Sequence, residues 1–375
     1  MAVEQLKIRS NHLHAVHEAS GAQLVNWNQM YIPFLYSNSV EEHLALRTEA
    51  GLSDMSGIRK IWLSGPDAQE VLNYTITRDC SKISRGFAVY SAVLNDEGYV
   101  IDDAIIFNLS SSEHLEYGAT WLICSGAGNA MEWLEKSAFG KNVILWADDN
   151  ISCLLLQGPM AEASMKSLAC GGQVSKLKRF QHELFTVGGA NVLVSRTSYS
   201  GEDGFELFVG GKAAPEIWHT LISAGVKPVG LGAIDQARIE AGLLFFGRDM
   251  TGQETPKELA LDFLVDRGKF GYRGMSALAI KETLPRIATV GVYADKPVFF
   301  TKRAFVAVDG DICGELKSYA NSKWLGKTVG IAHVDPNYAD EGRKVLIFDE
   351  GDFLQNGVEA FISDRKFYRN LKTKK

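Results

Sequence analysis

A polar, glycine-punctuated segment between two strand-like stretches limits the folds open to this chain. Residues 196–207 run Arg-Thr-Ser-Tyr-Ser-Gly-Glu-Asp-Gly-Phe-Glu-Leu. The preceding residues, 190–195, are rich in strand formers, and those at 205–209 alternate apolar and polar. This pattern predicts a hairpin-like pair of strands joined through residues 200–204, a connection with the composition of a binding loop.

Glu206 lies on the second of these strands, and the pattern alone leaves its role open. Its carboxylate points to the face opposite that of Phe205 and Leu207. A solvated residue on an exposed face is one interpretation, and the one that pattern favours, because charged residues are seldom buried without a partner. A ligand-binding carboxylate is the other.

Two adjacent carboxylates, Asp102 and Asp103, interrupt the otherwise apolar stretch 100–107. Successive side chains of a strand point to opposite faces, so only one of the two can face a given cavity. Both could instead cap the preceding turn, 97–99, and face water. The sequence leaves open which aspartate would face a ligand.

Helical and strand-like segments have different places along the chain. Residues 39–50, 213–224 and 234–244 have apolar side chains at helical spacing and are predicted helices. From about residue 287 onward, short apolar stretches alternate with turn residues, which predicts a compact C-terminal barrel or sandwich. With 375 residues and 46% hydrophobic content, the chain is long enough for two or three well-packed domains.

Charge and the N-terminal residues bear on partners and compartment. The net charge is −6 and no basic stripe is present, so a nucleic-acid partner is not expected. Residues 1–7 have neither the apolar core of a signal peptide nor the composition of a transit peptide. No apolar run approaches the ~20 residues of a membrane helix. We therefore expect a cytoplasmic protein with no membrane partner.

His12, His14 and His17 form the only histidine cluster in the sequence. No acidic residue or cysteine lies at a recognised ligand interval from them. We expect polar surface residues at the start of a helix here, and no metal site.

Motifs along nearly the whole chain follow a fixed order. They occupy residues 30–36, 46–56, 90–91, 95–103, 157–159, 196–207, 228–235, 238–242, 314–318 and 325–327. Together they resemble the glycine-cleavage T-protein family, the tetrahydrofolate-dependent aminomethyltransferases and their demethylase relatives, whose signature is Arg-Thr-Gly-Tyr-Thr-Gly-Glu-Asp-Gly-Phe-Glu-Leu.

The resemblance implies an α+β, three-domain, ring-like fold. It places a discontinuous folate-binding domain at 1–55 and 150–260, an inserted α+β domain at 56–149, and a C-terminal β-barrel at 285–375. Tetrahydrofolate would pass through the central opening with its pterin end deep inside.

The resemblance also implies roles for individual residues. Glu206 matches the carboxylate that binds the pterin's amino-pyrimidinone edge, where two N–H donors suit a bidentate acceptor. Asp103 matches the position beside the reactive nitrogens and would orient N5 or bind the leaving atom, and its pKa would rise if it is desolvated. Tyr199 is a second predicted catalytic residue. Tyr90 and Phe180 match aromatic positions near the cofactor. Tyr90 could instead be a core aromatic, and for Phe180 that interpretation is favoured at least as much.

The chain departs from the family pattern around the predicted pocket. Residues 56–58 read Ser-Gly-Ile in place of Ser-His-Met, and Ile234 replaces an arginine. Tyr99 replaces a glycine, and Leu243 replaces an aromatic residue. With Tyr31, these side chains predict a more apolar substrate pocket, which suits a small methylated or aromatic substrate.

These departures favour a tetrahydrofolate-dependent demethylase that moves a one-carbon group from a small methylated substrate, for example a methoxy-aromatic compound, to N5 of tetrahydrofolate. One alternative is glycine-cleavage aminomethyl transfer, which requires a lipoyl carrier protein. Another is a non-catalytic folate-binding regulatory protein. The sequence leaves open whether the carbon leaves oxygen, sulfur or nitrogen, whether it is a methyl or a formaldehyde-level carbon, and the oligomeric state.

Overall fold

A six-stranded sheet forms the first of three β-structures in the computed structural model, which describes residues 8–109, 120–165, 174–187, 189–352 and 356–369. The order of its strands is β10-β11-β12-β9-β3-β13, antiparallel except for the β3–β13 pair. The strands are β3 (Gly51–Asp54), β9 (Ile151–Gln157), β10 (His182–Val187), β11 (Ala190–Ser195), β12 (Gly204–Gly210) and β13 (Lys227–Pro228). The predicted pairing of the strands that flank residues 196–203 is confirmed, because β11 and β12 are antiparallel neighbours.

A five-stranded antiparallel sheet comes from the residues between β3 and β9. Its order is β5-β6-β7-β4-β8. The strands are β4 (Arg59–Ser64), β5 (Phe87–Leu94), β6 (Val100–Asn108), β7 (Trp121–Ser125) and β8 (Ile144–Ala147). The limits of the two sheets run close to the predicted domain limits, which stay a prediction because sheet membership alone does not define an independently folding unit.

The C-terminal strands close into a barrel, as predicted. The order around it is β14-β17-β16-β15-β18-β19. The strands are β14 (Ala288–Ala294), β15 (Ala304–Val308), β16 (Asp311–Ser322), β17 (Lys327–Val334), β18 (Lys344–Asp349) and β19 (Val358–Ser363). Closure leaves no unpaired sheet edge, and the inward-facing side chains form a separate apolar core.

Helices and one hairpin cover these sheets. In the described residues the α-helices are α1 (His14–Ala19), α2 (Ser39–Thr48), α3 (Ala68–Thr75), α4 (Ala130–Ala138), α5 (Ala161–Met165), α6 (Ala214–Ser223), α7 (Leu231–Glu240) and α8 (Met275–Lys281). None of them is long and apolar enough to cross a membrane. The hairpin joins β1 (Gln23–Trp27) to β2 (Met30–Leu35). Its turn residues, Asn28 and Gln29, both have positive φ, at 49° and 63°, which is the geometry of a type I′ turn.

The two open sheets pack face to face, and this packing sets the position of the site described below. Phe107 of β6 and Phe208 of β12 meet edge to face with ring centroids 5.3 Å apart. Both rings belong to one buried apolar cluster with side chains of β4, β7, β9 and β11. Residues on the same strand faces as these two phenylalanines therefore point into the space between the sheets.

Two local expectations are wrong. The helix expected at 234–244 begins at Leu231 and ends at Glu240, because Gly242 adopts a positive φ of 70° and turns the chain back, so that the Leu243 N–H donates to the Arg238 carbonyl. His17 is fully buried rather than a surface residue, and its Nε2 lies 2.9 Å from the Asp54 carboxylate. The histidine spacing could not reveal this partner, which lies 37 residues away.

Candidate functional site

Asp102 is an anchor for the backbone. A β-bulge shifts the β5–β6 register beside it, as bulges often do where a side chain must be re-aimed. Its buried carboxylate accepts hydrogen bonds from the N–H groups of Ala127, Asn129 and Ala130 and from the Ser125 hydroxyl. Asp102 thereby caps the N-terminus of α4, so the alternative in which both aspartates face water at the preceding turn is wrong.

Asp103 points to the opposite face and keeps part of its surface accessible. It shares that face of β6 with Phe107, so it lies on the side turned toward the six-stranded sheet. The Tyr90 hydroxyl, from a diagonal position on β5, donates to its Oδ2 at 2.6 Å. Burial, and then the charge of Asp102, raise the pKa of Asp103 to about 7. Burial and the neighbouring Asp103 carboxylate raise the pKa of Tyr90 well above its usual value.

Glu206 lies across the space between the sheets. It shares the face of β12 with Phe208, the ring that contacts Phe107. It is only 8% exposed, so the interpretation as a residue on a solvated face is wrong. Burial raises its pKa to about 7, although a side-chain hydrogen bond with Thr197 favours the ionised form. Burial, and then the charge of Glu206, raise the pKa of the Cys124 thiol on β7, the strand next to β6.

Tyr199 approaches the same region from the loop between β11 and β12. Its hydroxyl donates to the Leu244 carbonyl at 2.6 Å. Its backbone N–H donates to the Gln157 side chain at 3.2 Å. Burial raises its pKa far above the usual value, and the charge of Asp103 adds to this shift. The Tyr199 ring packs against the same apolar cluster as Phe107, which shares its face of β6 with Asp103.

Three other predicted site residues, Phe180, Ile234 and Leu243, differ in burial and in the elements they contact. Phe180 has a positive φ of 62°, and its backbone joins Ala88 on β5 to Arg196. Ile234 is fully buried in a small cluster that Tyr199 also contacts, so it offers a ligand no surface in this structure. Leu243 is half-buried and precedes the carbonyl bound by Tyr199.

Tyr31 and Tyr99 lie apart from the Tyr90–Asp103–Tyr199 group. Tyr31 is 41% exposed and pairs edge to face with the His14 ring. Tyr99 is at the turn between β5 and β6, where the cations of Lys281 and Arg286 lie 4.6 and 5.4 Å from its ring centroid. The structure does not bring these two predicted substrate contacts to Asp103.

Sequence reasoning missed two residues near this group. Arg365 is buried, and its charge acts on the pKa of Tyr90. Its guanidinium donates to the carbonyls of Leu259 and Ala260. Trp27 packs in the same apolar cluster as Tyr199, on the hairpin beside residue 57. No motif or periodicity marks either residue, so one sequence has no signal that would have revealed them.

Gly57, which stands where the family has histidine, makes room for Trp27. A Cβ added at this position would lie 2.5 Å from Cε3 of the Trp27 ring. The ring also faces Phe245, with centroids 6.0 Å apart. The absence of a side chain at residue 57 therefore leaves the space that the Trp27 ring of the β1–β2 hairpin occupies.

We expect Gly57→Ala to destabilise the protein by about 1–3 kcal/mol, because overpacking forces Trp27 to move. Denaturant unfolding followed by tryptophan fluorescence measures this. Gly210→Ala is the matched control, since a Cβ at Gly210 meets nothing within 4 Å. In a Trp27→Leu background the cost of Gly57→Ala should fall by more than half, and an unchanged cost would contradict the packing argument.

The two raised pKa values predict how stability changes with pH. Burial raises the pKa of Asp103 from its ordinary value of 3.8, and that of Glu206 from 4.5, to about 7 in the folded protein. Between about pH 4 and 7 the folded protein therefore binds more protons than the unfolded chain, and the free energy of unfolding contributed by these groups falls as the pH rises. Relative to the wild type, a variant carrying Asp103→Asn and Glu206→Gln should gain stability from pH 4.5 to 7. A constant difference in urea midpoints across that range would contradict this.

The residues present suit a folate. A buried carboxylate, that of Glu206, can accept two N–H donors, and Tyr90 and Tyr199 add rings with accessible surface. Asp103 supplies a carboxyl that titrates near neutral pH at the other side of the same space. The described residues hold no group of three histidine, cysteine or acidic side chains able to bind a metal ion.

Comparisons with known proteins give matches within one protein family. A profile described as the GCVT N-terminal domain matches residues 13–269. An aminomethyltransferase of Symbiobacterium thermophilum is 32% identical over 375 residues, covering 96% of each chain. A heme-dependent oxidative N-demethylase gamma subunit of Ectopseudomonas mendocina is 32% identical over 348 residues, covering 89% of this chain and 90% of the relative.

A solved structure supports the fold. The glycine cleavage system aminomethyltransferase T from Bartonella henselae superposes with a TM-score of 0.85 at 27% identity, covering 96% of this chain and 98% of that one. This similarity and the closed barrel confirm the predicted fold.

Proposed function

The chain belongs to the glycine-cleavage T-protein (GCVT) family, whose members are folate-dependent one-carbon transferases, and on that premise we propose that it transfers a formaldehyde-level carbon from a substrate nitrogen to tetrahydrofolate. This is chemistry of the aminomethyltransferase type. It replaces methyl transfer, which the sequence pattern favoured, as the leading interpretation.

The names of the relatives support nitrogen as the atom that gives up the carbon. One relative is named for aminomethyl transfer, and another for oxidative N-demethylation. Both names refer to a carbon bound to nitrogen. Neither name refers to a methoxy or sulfonium group.

The single observation that carries the proposal is the position of Asp103, whose carboxyl keeps accessible surface in the space between the sheets and accepts a hydrogen bond from the Tyr90 hydroxyl. The Asp103 pKa of about 7 means that both protonated and ionised forms are present at neutral pH. An amine leaves a carbon readily only when it is protonated, and a carboxyl whose pKa lies near the working pH is an efficient proton donor. A phenolate or a thioether needs this help less, because it is a weaker base.

The other site residues would bind tetrahydrofolate and orient the groups that react. Tetrahydrofolate, when bound, supplies the nucleophilic N5 that accepts the carbon. Glu206 would hold the pterin edge, and Tyr199 would present its ring from a loop held by Gln157. Tyr90 fixes the Asp103 carboxyl through its 2.6 Å hydrogen bond, so that the proton is delivered from one position.

Two departures leave the carbon donor open. The family's histidine and arginine are replaced by Gly57 and Ile234. These replacements argue against the same carbon donor as in the glycine-cleavage enzymes, which accept a lipoyl carrier protein. A small N-substituted substrate therefore fits better than a carrier-bound aminomethyl arm. Transfer of a methyl group from a small methylated substrate is the second candidate, favoured by the apolar side chain of Leu243, which is half-buried next to the Leu244 carbonyl that Tyr199 binds.

Product analysis separates these proposals. We would incubate the protein with tetrahydrofolate and, separately, with N-hydroxymethyl amines, S-aminomethyl dihydrolipoamide, methylated sulfonium compounds and methoxy-aromatics. Mass spectrometry then distinguishes 5,10-methylene- from 5-methyltetrahydrofolate. We expect the methylene product, formed faster than in reactions without protein.

The other outcomes are equally informative. Appearance of only 5-methyltetrahydrofolate would establish the second candidate. Folate binding without either product would indicate a non-catalytic folate-binding protein. Turnover of the dihydrolipoamide derivative alone would indicate that a lipoyl carrier is the true partner.

A further inference from the structure

Arg47, on α2, is a buried arginine that joins distant parts of the chain. Its side chain is fully inaccessible. NH1 donates to the Ser200 carbonyl at 2.8 Å and to the Glu202 carboxylate at 3.1 Å. NH2 donates to the Ala237 carbonyl at 3.2 Å and to the Glu240 carboxylate at 2.7 Å. One guanidinium therefore binds both the loop between β11 and β12 and the last turn of α7.

The C-terminal segment completes this arrangement. The Tyr368 ring centroid lies 4.0 Å from the Arg47 guanidinium carbon. A side-chain hydrogen bond links Tyr368 to Glu202, and the Tyr368 N–H donates to the Glu240 carbonyl at 2.7 Å. His43, one turn before Arg47, lies 2.9 Å from the Glu240 carboxylate. Both carboxylates that the guanidinium contacts are thus themselves held in place.

The loop is fitted closely to the end of α7. Gly201 has a positive φ of 79°, and a Cβ there would lie 2.7 Å from Cβ of Ala241. From the other side, the Gln157 side-chain oxygen accepts hydrogen bonds from the hydroxyls of Ser198 and Ser200 at 2.6 and 3.0 Å. The residues that flank Tyr199 are therefore held between Gln157 on β9 and Arg47 on α2.

We propose that Arg47 is a positioning residue for the transfer reaction: it fixes the loop of residues 198–202 so that Tyr199 stays in the space between the sheets that Asp103 faces. Its expected effect on turnover rests on the proposed function, whereas its effect on loop order does not. Lysine cannot replace it, because the contacts with Ser200, Glu202, Ala237 and Glu240 need the planar fork of donors that a guanidinium has and an ammonium lacks.

Hydrogen exchange tests the effect on the loop. We expect amides in a peptide covering residues 196–204 to exchange at least tenfold faster in Arg47→Lys than in the wild type. Arg273→Lys is the matched control, since Arg273 is also buried and bonds to Asp96 and Ser137 away from the loop. Unchanged protection of the loop in Arg47→Lys would overturn the proposal, and so would equal loss of protection in the control.

A second variant covers the case in which Arg47→Lys does not fold. Glu202→Gln keeps the size of the side chain and weakens only one of the guanidinium's contacts. We expect faster exchange in the same peptide, by a smaller factor. Unchanged protection there would overturn the proposal.

A double-mutant cycle tests whether Arg47 acts through Tyr199. Arg47→Lys should lower kcat/KM at least tenfold when Tyr199 is present, and less than twofold in a Tyr199→Leu background. Full additivity would overturn the positioning role. If the wild type neither binds nor turns over tetrahydrofolate, the proposed function fails, and hydrogen exchange still decides whether Arg47 orders the loop.

Discussion

Asp103→Asn is expected to lower kcat by about 10²- to 10⁴-fold, the usual contribution of a positioned proton donor. Asparagine keeps the shape of the side chain, and its carbonyl oxygen can still accept the hydrogen bond that Tyr90 donates at 2.6 Å. It cannot give up a proton to a leaving amine. The measurement is single-turnover transfer to tetrahydrofolate, which isolates the chemical step from product release.

A stability measurement distinguishes loss of chemistry from loss of fold. Burial raises the pKa of Asp103 to about 7, so the ionised form is disfavoured in the folded protein. Above pH 7, Asp103→Asn should therefore be as stable as the wild type or more stable. A decrease in kcat of less than tenfold would show that Asp103 is not the proton donor. A large loss of thermal stability at pH 8 would show that the variant loses activity because it misfolds.

The Asp102–Asp103 pair shows how far sequence reasoning reaches. Strand alternation correctly separates the two carboxylates onto opposite faces. What it cannot decide is which face meets the N-terminus of α4, because the N–H donors of Ala127 and Ala130 lie 25 and 28 residues from Asp102. Only the folded chain shows that Asp102 is saturated by these donors and that Asp103 remains available.

The same limit applies to the residues predicted to line the substrate pocket. From the sequence alone, the departures at Gly57 and Ile234 predict a more apolar substrate pocket. In the structure Gly57 accommodates Trp27, and Ile234 is fully buried against residues of α7 and its neighbours. Tyr99 is near Asp103 in sequence but lies beside Lys281, from a segment about 180 residues later. Motifs locate strands and loops well because these are local, whereas packing partners are set by the whole fold.

Glu206→Gln is expected to weaken tetrahydrofolate binding by about 10- to 100-fold, since hydrogen bonds to a charged group contribute about 1.5–3 kcal/mol. A carboxylate can accept both N–H donors of a pterin edge, but the glutamine amide offers one acceptor and turns a donor toward the other. The measurement is the dissociation constant by titration calorimetry. Glu183→Gln, an exposed residue of the same sheet, is the matched control.

The pH dependence of binding gives a sharper test of the same residue. In the protein without ligand, Glu206 has a pKa of about 7. Below pH 7, a ligand that needs the ionised carboxylate must therefore displace a proton. Affinity for tetrahydrofolate in the wild type should then rise from pH 6 to pH 8, and proton release should accompany binding at pH 6. In Glu206→Gln that part of the slope disappears, because the group no longer titrates. An identical slope in the variant would show that another group controls binding, and it would move the pterin contact away from Glu206 even if the affinity fell.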